Sequence, residues 1–433
     1  MRSVPSLWPV PVRHPIRLLP RSALIGFAIV GFVSVPALRA SDRRFEPGSR
    51  ATGLGAPFPV VRVVADEGEM WQQPDANGPR RGALDNGTTV RVYARRVGPR
   101  CHGDWLLVGA LAWLCDDPKS ITWVRSDAFR SPPRLPVVEF ALILQQGAFG
   151  YTHLGDAGQG VPDAEMQPGY LVGVADRNKG PDGEEYLQTT HGIWLSSRDV
   201  AEVRPSPFVG VRLAQQSLSI GWVYVEHARL HDSPGGPPSA APPLERLTSV
   251  QVVDRVERRG QRWLRVPQGW LSAAEIRVPE LSEPPAGIRP DERWLDIDLA
   301  SQTLVAYAGA QPQFATMISA GRGRPGTPTA TPTGTFRIWV KLTSSDMDNL
   351  DDEHAESTYA VESVPWVMFF DRGYGLHGTY WHSAFGTPHS HGCINLSLQD
   401  ARWIFDFVAP KVPPGWRAAR PTSYDLGSVV RIR

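Results

Sequence analysis

Hydrophobic and polar residues alternate along the last third of the chain in a pattern that predicts β-strands. Trp294–Leu299 alternates with a period of two, and Thr303–Tyr307 follows it after a short turn. Phe314–Ser319 and Thr335–Val340 predict a third and a fourth strand. We therefore expect this part of the chain to be mainly β.

One amphipathic helix is predicted after these strands. The segment from Ser397 to Asp400 resembles a capping box. The apolar residues that follow it lie on one helical face: Ala401, Ile404, Phe405 and Val408. We expect Cys393 to lie in a turn just ahead of this helix, where backbone N–H groups favour negative charge.

The middle of the chain carries a loose repeat. An aromatic-led strand, a turn and a second strand with a tryptophan recur from Trp105, Tyr186 and Trp263, roughly 80 residues apart. Alternating strands separated by glycine- and proline-bearing turns predict small β-barrels, and one alternative is that the tryptophans only fill the barrel cores. A proline-rich stretch at 283–287 is the best candidate for a domain boundary.

Composition narrows the class of protein. The 433 residues are 42% hydrophobic and 21% charged, which excludes a disordered chain. Lys and Arg total 45 against 44 for Asp and Glu, so the chain lacks the positive charge that nucleic-acid binding requires. The 41 glycines and 41 prolines favour many short strands joined by turns.

The first forty residues are typical of a secretory signal peptide. Arginines precede an apolar run at 23–33, and small residues follow near Ala37 and Ala40. The run is shorter than the roughly 20 residues that span a bilayer, so a retained anchor is the weaker alternative, as is a buried core helix. We expect an exported protein of the periplasm or cell envelope.

Three cysteines agree with export. Cys101 and Cys115 lie in one apparent hairpin and are expected to pair in an oxidising compartment. Cys393 is left over, which indicates a reactive thiol or an intermolecular bridge, with an inert buried cysteine as the alternative.

The surroundings of Cys393 favour a nucleophile. Four histidines precede it closely in the chain: His377, His382, His389 and His391. A thiol with a pKa of about 8.5 is mostly protonated at neutral pH, and a histidine can take its proton and hold an ion pair. The N–H groups of Gly392 and Cys393 could face a developing oxyanion.

These residues resemble the signature of the L,D-transpeptidase catalytic domain, or YkuD family. His377-Gly378 is followed, after a spacer, by the run from Ser390 to Asn395, which reads Ser-His-Gly-Cys-Ile-Asn. Thr331–Phe336 is similar to the family's upstream strand entry, and the resemblance covers about residues 290 to 433. It implies a β-sandwich catalytic domain with one or two short helices.

The resemblance also implies roles for individual residues. Cys393 would be the nucleophile and His377 the proton donor and acceptor, with His382 as the reserve base. The backbone around His391, Gly392 and Cys393 would form the oxyanion hole. Ser390 would support the histidine. No cofactor and no metal are implied.

The reaction implied by the family is a two-step acyl transfer on peptidoglycan. The thiolate attacks a stem tetrapeptide after its third residue, expels D-alanine and forms a thioester. An amine, typically the side chain of diaminopimelate or lysine, then resolves the thioester as a 3→3 cross-link or an attached protein. Water in its place gives carboxypeptidase-like trimming. Carbapenem-type compounds are the expected inhibitors.

The middle repeats resemble bacterial SH3-like modules, which are thought to hold peptidoglycan peptides. The predicted organisation is a signal peptide (1–40), a linker (41–59), three SH3-like modules, a linker (281–290) and the catalytic domain (291–433). The modules cover 60–131, with the Cys101–Cys115 disulfide, then 135–205 and 206–280.

Two other functions stay open from the sequence. The histidines and Cys393 could bind zinc in a peptidoglycan hydrolase, although no HExxH helix accompanies them. A non-catalytic cell-wall-binding protein would use the β-modules alone. The acidic segment 346–356 is expected to be a solvated surface loop, with a lid or an amine-attracting surface as the alternative.

Overall fold

The computed structural model of the chain describes residues 58–130, 139–213, 218–349 and 359–433. β-Strands dominate these ranges. One α-helix and three short 3₁₀ turns (Ser126–Ala128, Leu154–Asp156 and Ala273–Glu275) accompany them in these ranges. The predicted mainly-β class is confirmed. The predicted signal peptide and nearly all of the first linker lie outside the described residues.

The first β-unit contains eight strands. They are β1 (Val60–Val63), β2 (Glu67–Trp71), β3 (Arg80–Asp85), β4 (Thr89–Arg91), β5 (Ala94–Arg96), β6 (Trp105–Gly109), β7 (Ala112–Cys115) and β8 (Ile121–Val124). The strand from Trp105 pairs with β7, whereas β8 pairs with β1. The predicted repeat is therefore wrong here, because its two strands are not hairpin partners. A disulfide joins Cys101 and Cys115, whose Cα atoms are 5.5 Å apart.

The second β-unit follows at residue 139. Its strands are β9 (Glu139–Ile143), β10 (Ala148–Tyr151), β11 (Ala164–Met166), β12 (Leu171–Lys179), β13 (Glu185–Thr189), β14 (Trp194–Ser196) and β15 (Val200–Val203). Here the two strands of the predicted repeat, β13 and β14, do pair. Leu187 and Leu195, from these two strands, are fully buried in the unit's core.

The third β-unit follows. Its strands are β16 (Val211–Arg212), β17 (Ile220–Val223), β18 (His227–Ala228), β19 (Leu244–Glu245), β20 (Ser249–Gln251), β21 (Asp254–Arg258), β22 (Gln261–Val266), β23 (Gly269–Ser272) and β24 (Ile276–Arg277). The predicted strand pair is again present as β22 and β23. That these units are SH3-like barrels stays a prediction.

The C-terminal region contains the remaining elements. They are β25 (Arg293–Asp298), β26 (Thr303–Ala308), β27 (Gln311–Met317), β28 (Gly334–Arg337), β29 (Val340–Asp348), β30 (Ala360–Asp371), β31 (Tyr374–Gly378), β32 (Ile394–Leu396), α1 (Leu398–Phe407), β33 (Trp416–Ala419) and β34 (Val429–Ile432). One sheet has the order β16-β27-β26-β25-β34-β28. The other contains β29 to β33.

The two sheets enclose an apolar core, which confirms the predicted β-sandwich. Leu295 and Leu304 of the first sheet share one buried cluster with Met368 and Leu376 of the second and with Ile404 of the helix. Burying such side chains is worth roughly 1.5–3 kcal/mol each, which makes this core the main source of local stability.

The predicted fourth strand, Thr335–Val340, is two strands. Gly334–Arg337 pairs with β34 in one sheet, whereas the strand that begins at Val340 pairs with β30 in the other. Ile338 and Trp339 connect them, with Ile338 buried in the core. The alternating pattern runs through this crossing because both sheets bury residues against the same core.

The predicted helix is confirmed, but Cys393 does not lie directly ahead of its first turn. Ser397 accepts a hydrogen bond from the Asp400 N–H and caps α1. Strand β32 lies between Cys393 and this cap, so the helix does not begin at the cysteine turn. Because the field of a helix end decays within about one turn, it contributes little at the sulfur.

The β-units are hydrogen-bonded to the sandwich. Strand β3 pairs with β33, with Gly82 opposite Ala419, and β12 meets β30 at Leu171 and Val361. The segment predicted as the second linker also contacts the sandwich, since the Ser282 N–H donates to the Tyr307 hydroxyl at 3.0 Å. Residues 58–433 form one compact unit. None of the helices in the described ranges has the length and hydropathy of a membrane span.

Candidate active site

Strand pairing places His377 and Asn395 side by side on one face of a sheet. Strands β31 and β32 run parallel, with His377 opposite Asn395 and Leu376 opposite Ile394. Leu376 and Ile394 lie in the sandwich core. Because side chains alternate along a strand, His377 and Asn395 lie on the opposite face, and Cys393 lies in the turn directly before β32.

The turn before β32 is fixed by two hydroxyls. Ser390 Oγ donates to the Cys393 carbonyl and accepts from the Gly392 N–H at 3.1 Å. Thr331 Oγ1 donates to the Gly392 carbonyl at 2.8 Å and accepts from the Gly321 N–H at 2.8 Å. The predicted support of a histidine by Ser390 is therefore wrong, because its hydroxyl binds the backbone of the turn.

Gly392 is required by this turn. Its φ of +120° lies in the region that favours glycine. A Cβ at this position would lie 2.5 Å from the ring of Tyr374, whose hydroxyl donates to the Pro328 carbonyl at 2.9 Å. The Gly392 N–H is occupied by Ser390, so in this conformation it does not face an oxyanion.

Cys393 is a half-buried free cysteine. Burial raises the pKa of its thiol, and the Gly375 N–H that faces the sulfur lowers it by less. The thiol donates weakly to the Gly373 carbonyl at 3.8 Å. Cys393 is therefore a neutral thiol at pH 7.

His377 is also neutral. The ring is 2% exposed, and burial lowers its pKa to about 4. Nδ1 lies 3.1 Å from the Gly378 carbonyl, an acceptor, so Nδ1 carries the ring proton and Nε2 can accept one. The expected thiolate–imidazolium ion pair is thus not the resting form. Among the described residues no imidazole nitrogen is hydrogen-bonded to the sulfur, and proton transfer requires the two groups to approach.

His382 contacts Asn395 rather than the thiol. Its Nδ1 accepts from the Ala384 N–H at 3.1 Å, and its Nε2 lies 2.8 Å from the Asn395 amide. Burial, with His389 and His377 nearby, lowers the pKa of His382 to about 3. The neutral ring must then carry its proton on Nε2, and it needs the amide oxygen of Asn395 as acceptor.

That requirement orients the Asn395 amide. The side chain is 3% exposed, and the amide atom turned away from His382 has no hydrogen-bond partner within the protein. With the oxygen on His382, the atom turned away is the NH₂ group. A buried donor without a partner is costly, and a bound carbonyl or oxyanion would satisfy it.

His391 points away from this cluster. Its Nε2 lies 2.8 Å from an Arg322 guanidinium nitrogen, and the Tyr359 ring stacks on it at 5.0 Å. Burial, with Arg322 and His389 nearby, lowers the pKa of His391. Its side chain shapes the entrance, and it transfers no proton to Cys393 in this arrangement.

Sequence reasoning missed two aromatic residues at the site. The Trp381 ring stacks on the His377 ring with 5.9 Å between their centroids. Burial raises the pKa of Tyr359, and the charge of Cys393 raises it further, which places Tyr359 close to the cysteine. The signal for Trp381 was its place in the spacer beside the motif. Tyr359 lies 34 positions before Cys393, immediately ahead of β30, and no local pattern marks it.

A cleft of about 410 Å³ lies beside the cysteine turn. The loop from Ala320 to Thr333 forms much of its wall, and the rest of the wall is formed by Leu299, Gln302, Arg372, Tyr374 and Pro388. Tyr374 thus contacts both this cleft and Gly392.

The predicted metal ligands do not converge. In the ranges that the structure describes, no three His, Cys, Asp or Glu side chains are grouped so that they could hold an ion. His391 is directed to Arg322, and His377 to the Gly378 carbonyl. The acidic segment is not all loop either, because Asp346 lies in β29; residues 350–356 of the segment fall outside the described residues.

A neutral cysteine, a buried neutral histidine and a buried amide are therefore the candidate groups of a thiol-dependent enzyme site. Residues 292–430 match the family model of the L,D-transpeptidase catalytic domain, YkuD.

Individual relatives match parts of the chain. A Bacillus subtilis protein named as an L,D-transpeptidase, YciB, is 28% identical over 102 residues, which cover 17% of this chain and 53% of YciB. The chain thus spans about half the length of this curated relative.

Two solved structures are each similar to part of the chain. The L,D-transpeptidase of Enterococcus faecium is 22% identical with a TM-score of 0.25, over 33% of this chain and 50% of that one. The L,D-transpeptidase from Mycobacterium smegmatis is 20% identical with a TM-score of 0.26, over 42% and 82%.

Proposed function

We propose that the chain is an exported peptidoglycan L,D-transpeptidase with Cys393 as its nucleophile. The observation that carries the proposal is the position of Cys393 in the turn directly before β32, with His377 opposite Asn395 in the next strand, inside the region that matches the family model. The proposed substrate is a stem tetrapeptide, and the acceptor is the side-chain amine of diaminopimelate or lysine.

The first step follows from the neutral resting pair. Cys393 Sγ attacks the carbonyl carbon of the third residue of the stem peptide, and the thiol proton moves to His377 Nε2. The Gly378 carbonyl accepts from Nδ1–H and stabilises the imidazolium that forms. The C–N bond then breaks, D-alanine leaves with the proton from His377, and the acyl group remains as a thioester.

The oxyanion needs donors on the same face. The Asn395 NH₂ and the Cys393 N–H are the groups that we propose for it, because the Gly392 N–H is held by Ser390. Such donors contribute about 3 kcal/mol each in comparable sites. The oxyanion hole implied by the family resemblance is thus changed, because the Asn395 NH₂ takes the place of the Gly392 N–H.

In the second step an acceptor amine attacks the thioester. His377 takes the amine proton and returns it to the sulfur as the thiol leaves. The product is a 3→3 cross-link or an attached protein. Water in place of the amine gives a trimmed stem peptide.

Export and domain organisation are parts of the same proposal. The predicted signal peptide (1–40) would direct the chain to the periplasm or cell envelope, and the Cys101–Cys115 disulfide suits an oxidising compartment. We propose SH3-like modules at 60–131, 135–205 and 206–280 ahead of the catalytic domain.

The test uses the full-length protein with purified disaccharide-tetrapeptide. We expect release of D-alanine and a dimer whose mass and fragmentation show a 3→3 link. Cys393→Ala should abolish both products, whereas Arg262→Met, a change at an exposed position of β22, should retain them. Turnover by the Cys393→Ala protein would refute the cysteine mechanism. Loss of turnover with EDTA and its return with zinc would favour the metal alternative.

A further inference from the structure

A short loop between His377 and the cysteine turn is held by the third β-unit. The spacer loop, residues 383–387, offers its backbone carbonyls to two arginines. Arg246 Nη2 donates to Ser383 O at 3.1 Å and to Phe385 O at 2.8 Å. Arg277 Nε donates to Gly386 O at 2.8 Å. Both arginines lie outside the 292–430 family match.

Packing reinforces these hydrogen bonds. Phe385 is fully buried and stacks on Phe208 at 5.6 Å, in a cluster that also contains Trp222. Gly386 has a φ of +91°, and a Cβ there would lie 2.7 Å from Tyr224 Cβ. The spacer loop therefore fits closely against the third β-unit, with no room for a side chain at Gly386.

The two guanidinium groups are themselves fixed. Arg277 lies over the Tyr224 ring at 3.7 Å, and the Tyr224 hydroxyl donates to Ala274 O at 2.8 Å. Arg246 Nη1 donates to the carbonyl of Tyr224. Planar guanidinium groups held in this way lose little further entropy when they bind the loop.

On its other side the spacer loop contacts the site. The Gly386 N–H donates to Ile318 O at 2.8 Å, at the end of a sandwich strand. The Ala384 N–H donates to His382 Nδ1, and His382 Nε2 contacts the Asn395 amide. A displacement of Ala384 would remove the bond that sets the His382 tautomer, and with it the orientation of the Asn395 amide.

We propose that Arg246 and Arg277 are positioning residues of the Cys393 site, which hold the spacer loop so that His382 and Asn395 keep one geometry. The third β-unit is then a structural part of the active site. The expected effect of these arginines on the reactivity of Cys393 rests on the proposed function.

The test compares full-length Arg246→Met, Arg277→Met and Arg246→Lys with Arg262→Met as the matched control. Arg262 is an exposed arginine of the same β-unit. Two quantities are measured: the first-order rate of Cys393 acylation by a carbapenem, followed by intact mass, and the pKa of His382 by NMR of its ring carbons. Thermal unfolding identifies the variants that are folded.

We expect Arg246→Met and Arg277→Met to slow acylation by about 10- to 100-fold, because a displacement of about 1 Å in a reacting site costs up to 10²-fold. The carbapenem concentration for half-saturation should change less. The pKa of His382, about 3 in the native site, should rise toward its ordinary value as the loop loosens. Arg246→Lys should restore part of the rate, and Arg262→Met should behave as the native chain.

Native acylation rates and an unchanged His382 pKa in both methionine variants would overturn the proposal. If one of the two methionine variants does not fold, the acylation rate and the His382 pKa are measured in the Arg246→Lys protein instead. A native rate and an unchanged pKa there would likewise overturn the proposal. If the native chain forms no adduct, the proposed function fails, and the His382 pKa still tests whether the arginines position the loop.

Discussion

His377 and Asn395 lie opposite each other in two adjacent parallel strands, and Cys393 lies two residues before Asn395. Two strands inside a packed sandwich thus fix the histidine and the amide, whereas the cysteine depends on a turn held by Ser390 and Thr331. The imidazole and the thiol are both neutral in this arrangement. In the proposed mechanism, proton transfer and attack on the substrate therefore belong to one step.

The neutral pair predicts a specific ultraviolet titration. Burial raises the pKa of the Cys393 thiol and lowers that of His377 to about 4, so the thiolate should form only at alkaline pH. The thiolate absorbance near 240 nm, native minus Cys393→Ala, should appear above pH of about 8.5. A thiolate plateau between about pH 5 and 7 would show an ion pair instead.

The cysteine turn predicts a cost for a single methyl group. Gly392→Ala should slow acylation by at least about 100-fold, because its Cβ would collide with the Tyr374 ring and displace the sulfur. Gly260→Ala is the control for backbone strain alone, since Gly260 has a φ of +72° and open space around it. It should cost about 1 kcal/mol of stability and leave acylation unchanged. Equal acylation rates in the two variants would contradict the role of the turn.

An ion-pair cluster joins the second β-unit to the hairpin of β29 and β30. His191 lies 2.9 Å from an Asp346 carboxylate oxygen and 3.3 Å from one of Glu362, which raises its pKa to about 10. A raised pKa adds stability that is fully present below the unfolded value of about 6.5 and is lost as the pH rises through about 10.

His191→Gln should therefore destabilise the protein most near pH 6 and hardly at all above pH of about 10. Because the ring is 42% exposed, solvent screening limits the loss to about 1 kcal/mol. Urea unfolding at several pH values measures it. His153→Gln, at an exposed position of the same β-unit, is the control. A loss that is independent of pH would mean that packing, not charge, is responsible.

The disulfide of the first β-unit should stabilise the protein. Cys101 and Cys115 close a loop with a sequence separation of 14, for which loop-closure entropy gives about 3 kcal/mol. Replacing both by serine should lower the free energy of unfolding by about this amount, or lower the melting temperature by several degrees. Cys393 acylation should persist at temperatures where the variant is folded. Equal melting temperatures of the two oxidised proteins would contradict this.

Local patterns predicted the elements whose signals are local. The period-two hairpin of β25 and β26 and the capped helix after Ser397 are where the sequence places them. The strand break at Ile338 was missed, because a strand that changes sheets keeps its alternation. The pairing of β3 with β33 was also missed, because residues far apart in sequence meet there through backbone groups that carry no residue signal.

The candidate site was likewise predictable from the sequence only in part. The motif identifies Cys393 and His377 as catalytic candidates and contains Asn395 without giving it a role. The protonation states depend on burial, which the motif does not encode. The partners of Ser390 depend on the turn geometry. The contacts of Arg246 with the spacer loop depend on how a separate β-unit packs, which needs the folded structure.

The central claim is that Cys393 is the acylated nucleophile and His377 its base. The most direct measurement is the intact mass of the full-length protein after incubation with a carbapenem, with the modified peptide mapped by fragmentation. We expect one adduct, located on Cys393, absent in Cys393→Ala and formed about 10²–10⁴-fold more slowly in His377→Gln. An adduct on another residue, or an undiminished rate in His377→Gln, would contradict the account.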